Sequence, residues 1–189
     1  LYQVAWVARF LDASRLPLAG GIFLVFPILA LALLAAFRER AALAADEERF
    51  GGLAAVNASL PLLFALHMAM VPAYREHYGL LFGFLFCLDA GLFAIAVWRG
   101  PQVLHLLGGA MTLLVFFSWW AHSVASAEAA IGWPTILAIV SVFVAFYLAA
   151  GLAQSHGTRR LAGPGTLAVY TAPLLLFMFP ALAATEAAF

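Results

Sequence analysis

Stretches of about twenty apolar residues recur along the chain, separated by short charged or proline-containing turns. Two of them, GLLFGFLFCLDAGLFAIAVW and VLHLLGGAMTLLVFFSWWAHS, are joined only by Arg99-Gly100-Pro101-Gln102. A helix of about 20 residues rises about 30 Å, the thickness of the hydrocarbon core of a bilayer. Backbone groups in lipid must bond within the protein, so such segments are helices unless they form a closed barrel. The alternation of period two that a barrel strand needs is missing. Apolar residues make up 66% of the chain and charged residues 10%, against roughly half and about a quarter in soluble domains. A soluble core of this length could not hide so much apolar surface. The chain therefore reads as all-α, a polytopic transmembrane helical bundle of about six spans whose first partner is the lipid bilayer.

The spans are expected at 17–37, 51–73, 79–98, 103–122, 131–153 and 165–184, and together they make up one unit, 17–189. Residues 1–16 read either as an interfacial helix, with Val4, Val7, Ala8 and Leu11 on one face, or as the tail of a preceding span. Arg38 to Phe50 is the one strongly charged stretch. Its mixed signs predict a solvated surface helix or loop rather than an acidic site at Asp46-Glu47-Glu48, whose carboxylates point in different directions on a helix. Pro61, Pro173 and Pro180 are expected kinks. The very short turn between the third and fourth spans makes them antiparallel neighbours. The chain begins at Leu1 and stops just after an apolar run, which reads as a piece of a longer protein. The remaining spans of that chain, or other membrane proteins, are then expected partners.

Arginines orient the bundle. Arg38, Arg40, Arg49, Arg99, Arg159 and Arg160 follow spans one, three and five, whereas Arg9, Arg15 and Arg75 lie on the other side. Basic loops stay cytoplasmic, so the loops after spans one, three and five are expected in the cytoplasm. Every Lys-or-Arg position is Arg, which together with abundant Ala, Leu and Gly points to a GC-rich bacterial genome. The formal net charge is zero, and no basic patch is present to bind nucleic acid. The single cysteine excludes an internal disulfide and a cysteine metal knuckle. No Walker loop, dinucleotide fingerprint, HExxH or nucleophile elbow occurs, so neither an enzymatic activity, a cofactor nor a metal is expected.

Asp89, in the middle of span three, is the first residue to test. An ionised carboxylate at a helix centre costs roughly 2.5–3.5 kcal/mol on insertion scales. It must be protonated, paired or facing water. Its depth-matched candidates are Thr112 on span four and Ser141 on span five. Two roles follow: a neutral carboxyl hydrogen-bonded to such a hydroxyl, or a proton or cation relay in a small-solute carrier. Nearly opposite Asp89 lie Gly79, Gly83, Cys87 and Gly91, one small residue per turn, the pattern of a close-packing ridge. His67 and His122 fall in the same half of the membrane on different spans and are the one pair suited to haem ligation, a third reading. Trp98, Trp119 and Trp120 close spans three and four and are expected in an aromatic belt.

The hairpin also resembles a known unit. Leu81-Phe82-Gly83, the mid-helix Asp89, Trp98-Arg99, Leu106-Leu107-Gly108, Thr112 and Trp119-Trp120 resemble the repeated hairpin of a large bacterial multi-span family, domain of unknown function 2339. The resemblance covers roughly Phe37 to Ser123. It implies a bacterial inner-membrane protein with many spans and supplies no catalytic residues. With it, the first functional expectation is a structural or scaffold-like membrane module.

Overall fold

The computed structural model describes residues 11–36, 60–99, 102–123 and 131–155, with Leu175 and Met178 as isolated helical positions. Residues 1–10, the charged stretch 38–50, the first part of the expected second span and nearly all of the expected sixth lie outside the described residues. The described residues are helical with short connections and include no strand. After a 3-10 turn at Ala13–Arg15 come α1 (Leu16–Ala36), α2 (Leu60–Met70), α3 (Pro72–Arg75), α4 (Tyr78–Arg99), α5 (Gln102–Ser123) and α6 (Trp133–Ser155). The long helices begin and end within two residues of the spans expected from the sequence.

Span two is the exception. It was expected to run to Ala73, but the helix stops at Met70. Val71 is extended (φ −87°, ψ 123°) and Pro72 opens the separate single turn α3. Proline clashes with a helical residue before it and pushes that residue to extended backbone. The apolar run Met68 to Ala73 hides this break. Among the described residues one stretch, Leu106–Ser123 in α5, is long and apolar enough to cross a membrane; Leu16–Val25, Leu60–Met70, Tyr78–Ala94 and Trp133–Ala149 are shorter apolar stretches.

α4 is the centre of the packing and touches α1, α3, α5 and α6. Its contacts with α5 close symmetrically on the short turn between them. Phe82 meets Trp119, Asp89 meets Thr112, and Leu92 meets Gly108, so the two helices are antiparallel. α6 runs parallel to α4, with Phe82 against Phe143 and Phe93 against Phe146. Edge-to-face aromatic pairs fill this seam: Phe82–Trp119 at 5.0 Å and Phe86–Phe146 at 5.2 Å between ring centroids. That arrangement places the positive ring edge on the negative face of its neighbour. On the other side, Leu16, Ala19 and Phe23 form the buried stripe of α1, and Phe23 stacks on Phe64 at 4.4 Å.

Among the described residues the expected ridge is left largely uncovered. Gly79, Gly83 and Cys87 are exposed, and a Cβ added at Gly79 or Gly83 would meet nothing within 4 Å; Gly91 alone is buried. Small residues permit close approach but supply little attraction, because dispersion scales with the atoms in contact. The large residues Leu81, Phe82, Leu85, Leu88 and Leu92 therefore decide which sides of α4 are covered. Among the described glycines the close approach occurs instead at Gly108, while a Cβ at Gly20 or Gly109 would make ordinary contact at 3.6 and 3.7 Å. Trp119 also departs from the expected aromatic belt. It is fully buried and its Nε1–H donates to the Arg75 carbonyl at 3.2 Å, satisfying a group left open at the end of α3. Tyr74 ties the same turn to the N-terminal segment, its hydroxyl donating to the Leu11 carbonyl at 3.0 Å.

Candidate functional site

Asp89 lies where α4, α5 and α6 meet, and only 1% of it is exposed. The Thr112 hydroxyl on α5 donates to Asp89 Oδ2 at 2.5 Å. The Tyr147 hydroxyl on α6 reaches the same oxygen at 2.9 Å and stands 3.3 Å from Thr112 Oγ1. One carboxyl oxygen thus gathers hydroxyls from two other helices. The other oxygen, Oδ1, is buried with no hydrogen-bond partner among the described residues. It faces the α5 backbone: a Cβ added at Gly108 would lie 3.0 Å from Oδ1 and 3.3 Å from Leu92 Cδ1. At Gly109, one residue on, an added Cβ would make ordinary contact with the Tyr147 ring at 3.7 Å. Gly108 is thus the position on α5 that admits the carboxyl.

Of the three polar positions expected to share a depth, the structure brings together Asp89 and Thr112 and leaves Ser141 out. Ser141 is exposed. The buried stripe of α6 is Ile136, Val140, Phe143 and Tyr147, repeating every three to four residues, and Ser141 falls off it. Tyr147 was not anticipated. The available signal was a phenol within an apolar helix, whose hydroxyl needs a partner. Gly108 enters the sequence pattern only within Leu106-Leu107-Gly108; its contact with Asp89 depends on how α4 and α5 meet.

The haem candidates do not form a site inside the bundle. His67 and His122 are both exposed. The His67 ring lies 5.8 Å from that of Tyr74, and His122 Nδ1 is 2.7 Å from the Ser118 carbonyl of its own helix. That is a local contact along the helix, made at the outer surface rather than in the three-helix seam. Among the described residues, no group of three or more His, Cys, Asp and Glu side chains gathers as a metal site would require. What the Asp89 cluster can do chemically is accept hydroxyl donors and hold or lose one proton. No family model matches the chain, and no curated protein or solved structure matches it.

Proposed function

We propose that this chain is a membrane-embedded helical module with a structural role, a multi-span bundle whose central joint is the Asp89 cluster. The observation that carries the proposal is the burial of Asp89 against two hydroxyls from two other helices. A coupling carboxyl in a carrier needs a polar route to its substrate, whereas this one is enclosed by Leu92, Gly108, Thr112 and Tyr147. In lipid, apolar burial does not drive helices together. Packing and interhelical hydrogen bonds do, so a three-helix polar knot is an efficient way to fix their arrangement. The composition supports a bilayer as solvent, the arginine distribution supports cytoplasmic loops after spans one, three and five, and the hairpin resemblance supports a bacterial inner membrane. The number of spans, six, rests on the sequence pattern.

Asp89→Asn and Asp89→Ala test the assignment in the purified protein. Asparagine keeps an acceptor oxygen for the two hydroxyls and is expected to keep the fold near wild-type stability. Alanine leaves two buried hydroxyls without their acceptor, a cost of about 1–3 kcal/mol. A pH-sensitive dye in proteoliposomes is expected to report the same proton leak for wild type and Asp89→Asn. A proton flux present in wild type and lost in a folded Asp89→Asn protein would replace the structural assignment with a coupling one.

A further inference from the structure

The three helices at Asp89 are not held equally. α4 and α5 are joined by two residues, Gly100 and Pro101, and pack against each other more extensively than α4 and α6 do. α6 is joined to α5 through residues 124–132, and it reaches the cluster with one side chain, the tip of Tyr147. If the carboxyl must admit water, α6 is the helix that can move.

Charge decides when that happens. α6 and α1 carry no Asp, Glu, Lys, Arg or His within Trp133–Ser155 and Leu16–Ala36. The other charged position of α4, Arg99, lies ten residues from Asp89, about 15 Å along the axis. His105 and His122 of α5 lie seven and ten residues from Thr112, about 10 and 15 Å along the axis. His67 of α2 is exposed, and Arg75, Glu76 and His77 sit at the α3 end of the bundle. No cation stands beside the carboxyl among the described residues. An ionised Asp89 would keep its two hydroxyl donors on Oδ2 and have a bare, buried Oδ1 against Gly108 and Leu92. A buried charge without a partner is removed by protonation or by water.

We propose that Asp89 is a proton-binding site that controls the docking of α6. With the proton bound, α6 seats on the α4–α5 hairpin as in this structure. When it is lost, water enters beside Oδ1 and the Tyr147 end of α6 lifts away. The step is an acid dissociation: the carboxyl O–H bond breaks, the proton passes to water, and no other reactant takes part. This deepens the structural assignment above and depends on it, since only a joint that holds the helices can release one of them.

Hydrogen exchange of the full-length chain in nanodiscs, read peptide by peptide from mildly acidic to alkaline pH, tests the proposal. The exchange rates are corrected for intrinsic base catalysis. In wild type, exchange of the α6 region around Tyr147 is expected to rise about tenfold per pH unit while the protonated, docked form still predominates and to level off once the carboxyl is ionised, while the α5 peptides, an internal reference, stay protected. In Asp89→Asn, which cannot ionise, the rise should vanish. Wild-type α6 protection that does not change with pH relative to α5 overturns the proposal, as does a rise that persists in Asp89→Asn. Asp89→Ala separates the two ideas. If it leaves α4, α5 and α6 as protected as wild type, the joint itself fails; if it loosens them while wild type is insensitive to pH, only the proton control fails.

Discussion

Gly83 and Gly108 allow the same substitution to be made in two surroundings of one hairpin. Both are inside helices, α4 and α5, so alanine at either contributes about 1 kcal/mol of helix propensity. At Gly83 the new methyl meets nothing within 4 Å, and the propensity gain stands alone. At Gly108 it would sit 3.0 Å from Asp89 Oδ1 and 3.3 Å from Leu92 Cδ1. Relief requires the carboxyl or the α4–α5 spacing to shift. Forcing a methyl into a filled seam costs about 1–3 kcal/mol. Moving a carboxyl whose Oδ2 lies 2.5 Å from Thr112 Oγ1 weakens its hydroxyl contacts by a further 0.5–1.5 kcal/mol or so. Gly83→Ala is therefore expected to stabilise slightly and Gly108→Ala to destabilise by about 1–3 kcal/mol, a gap of about 2–4 kcal/mol between two identical chemical changes.

Reversible unfolding in mixed micelles, followed by circular dichroism, measures both. A double-mutant cycle assigns the cause: once Asp89→Ala has removed the carboxyl, most of the Gly108→Ala penalty should disappear, giving a coupling of about 1–2 kcal/mol. Equal stabilities for Gly83→Ala and Gly108→Ala would refute the close approach of α5 to Asp89. A penalty at Gly108 that persists unchanged without the carboxyl would place the clash elsewhere, on Leu92.

Tyr147→Phe keeps the ring between α4 and α5 and removes one donor; interhelical hydrogen bonds in a membrane protein average about 0.6 kcal/mol, so the same unfolding assay should show a loss of about 0.5–1.5 kcal/mol and Ser141→Ala almost none. Trp119→Phe should cost about 1 kcal/mol for the lost bond to the Arg75 carbonyl, and Trp119→Ala about 3–5 kcal/mol for the cavity, in both cases with faster exchange of the Tyr74–His77 amides. At the N-terminal turn, the Ser14 hydroxyl, the Arg15 backbone amide and the Arg15 charge hold the Asp12 carboxyl below its ordinary value. A depressed carboxylate contributes above its unfolded value and loses that contribution as pH falls through the folded one, so an NMR titration should show the turn fraying only in strong acid and Ser14→Ala moving the midpoint upward.

How much of this was legible in the sequence depends on the kind of constraint. Apolar runs of helical length place α1, α4, α5 and α6 to within two residues, because helix extent follows from local composition and the turns that interrupt it. The Asp89–Thr112 contact is legible for a related reason: a two-residue turn fixes the register of a hairpin, so equal distances from Arg99 and Gln102 imply equal depth. No such register ties α6 to α4. The partner on α6 has to be chosen by face, and a helix that is apolar all round shows no face by hydropathy. Counting depth alone selects Ser141; the buried stripe that carries Tyr147 is defined only once Phe143 and Phe146 meet Phe82, Phe86 and Phe93.

The ridge, largely uncovered among the described residues, clarifies what α4 is for. A glycine stripe states where another helix could come close, not that one does. On α4 the sides that are filled carry Leu81, Phe82, Phe84, Leu85, Leu88 and Leu92, and the exposed line carries Gly79, Leu80, Gly83 and Cys87. Close approach is used one helix over, at Gly108, where α5 must pass the carboxyl of α4. The Asp89 cluster accounts for Gly108, where a Cβ would crowd the carboxyl at 3.0 Å, whereas one at Gly109 would only rest on the Tyr147 ring at 3.7 Å. The polar knot and Gly108 are thus one device, with α5 supplying the space and Thr112, α4 the acceptor, and α6 the last donor.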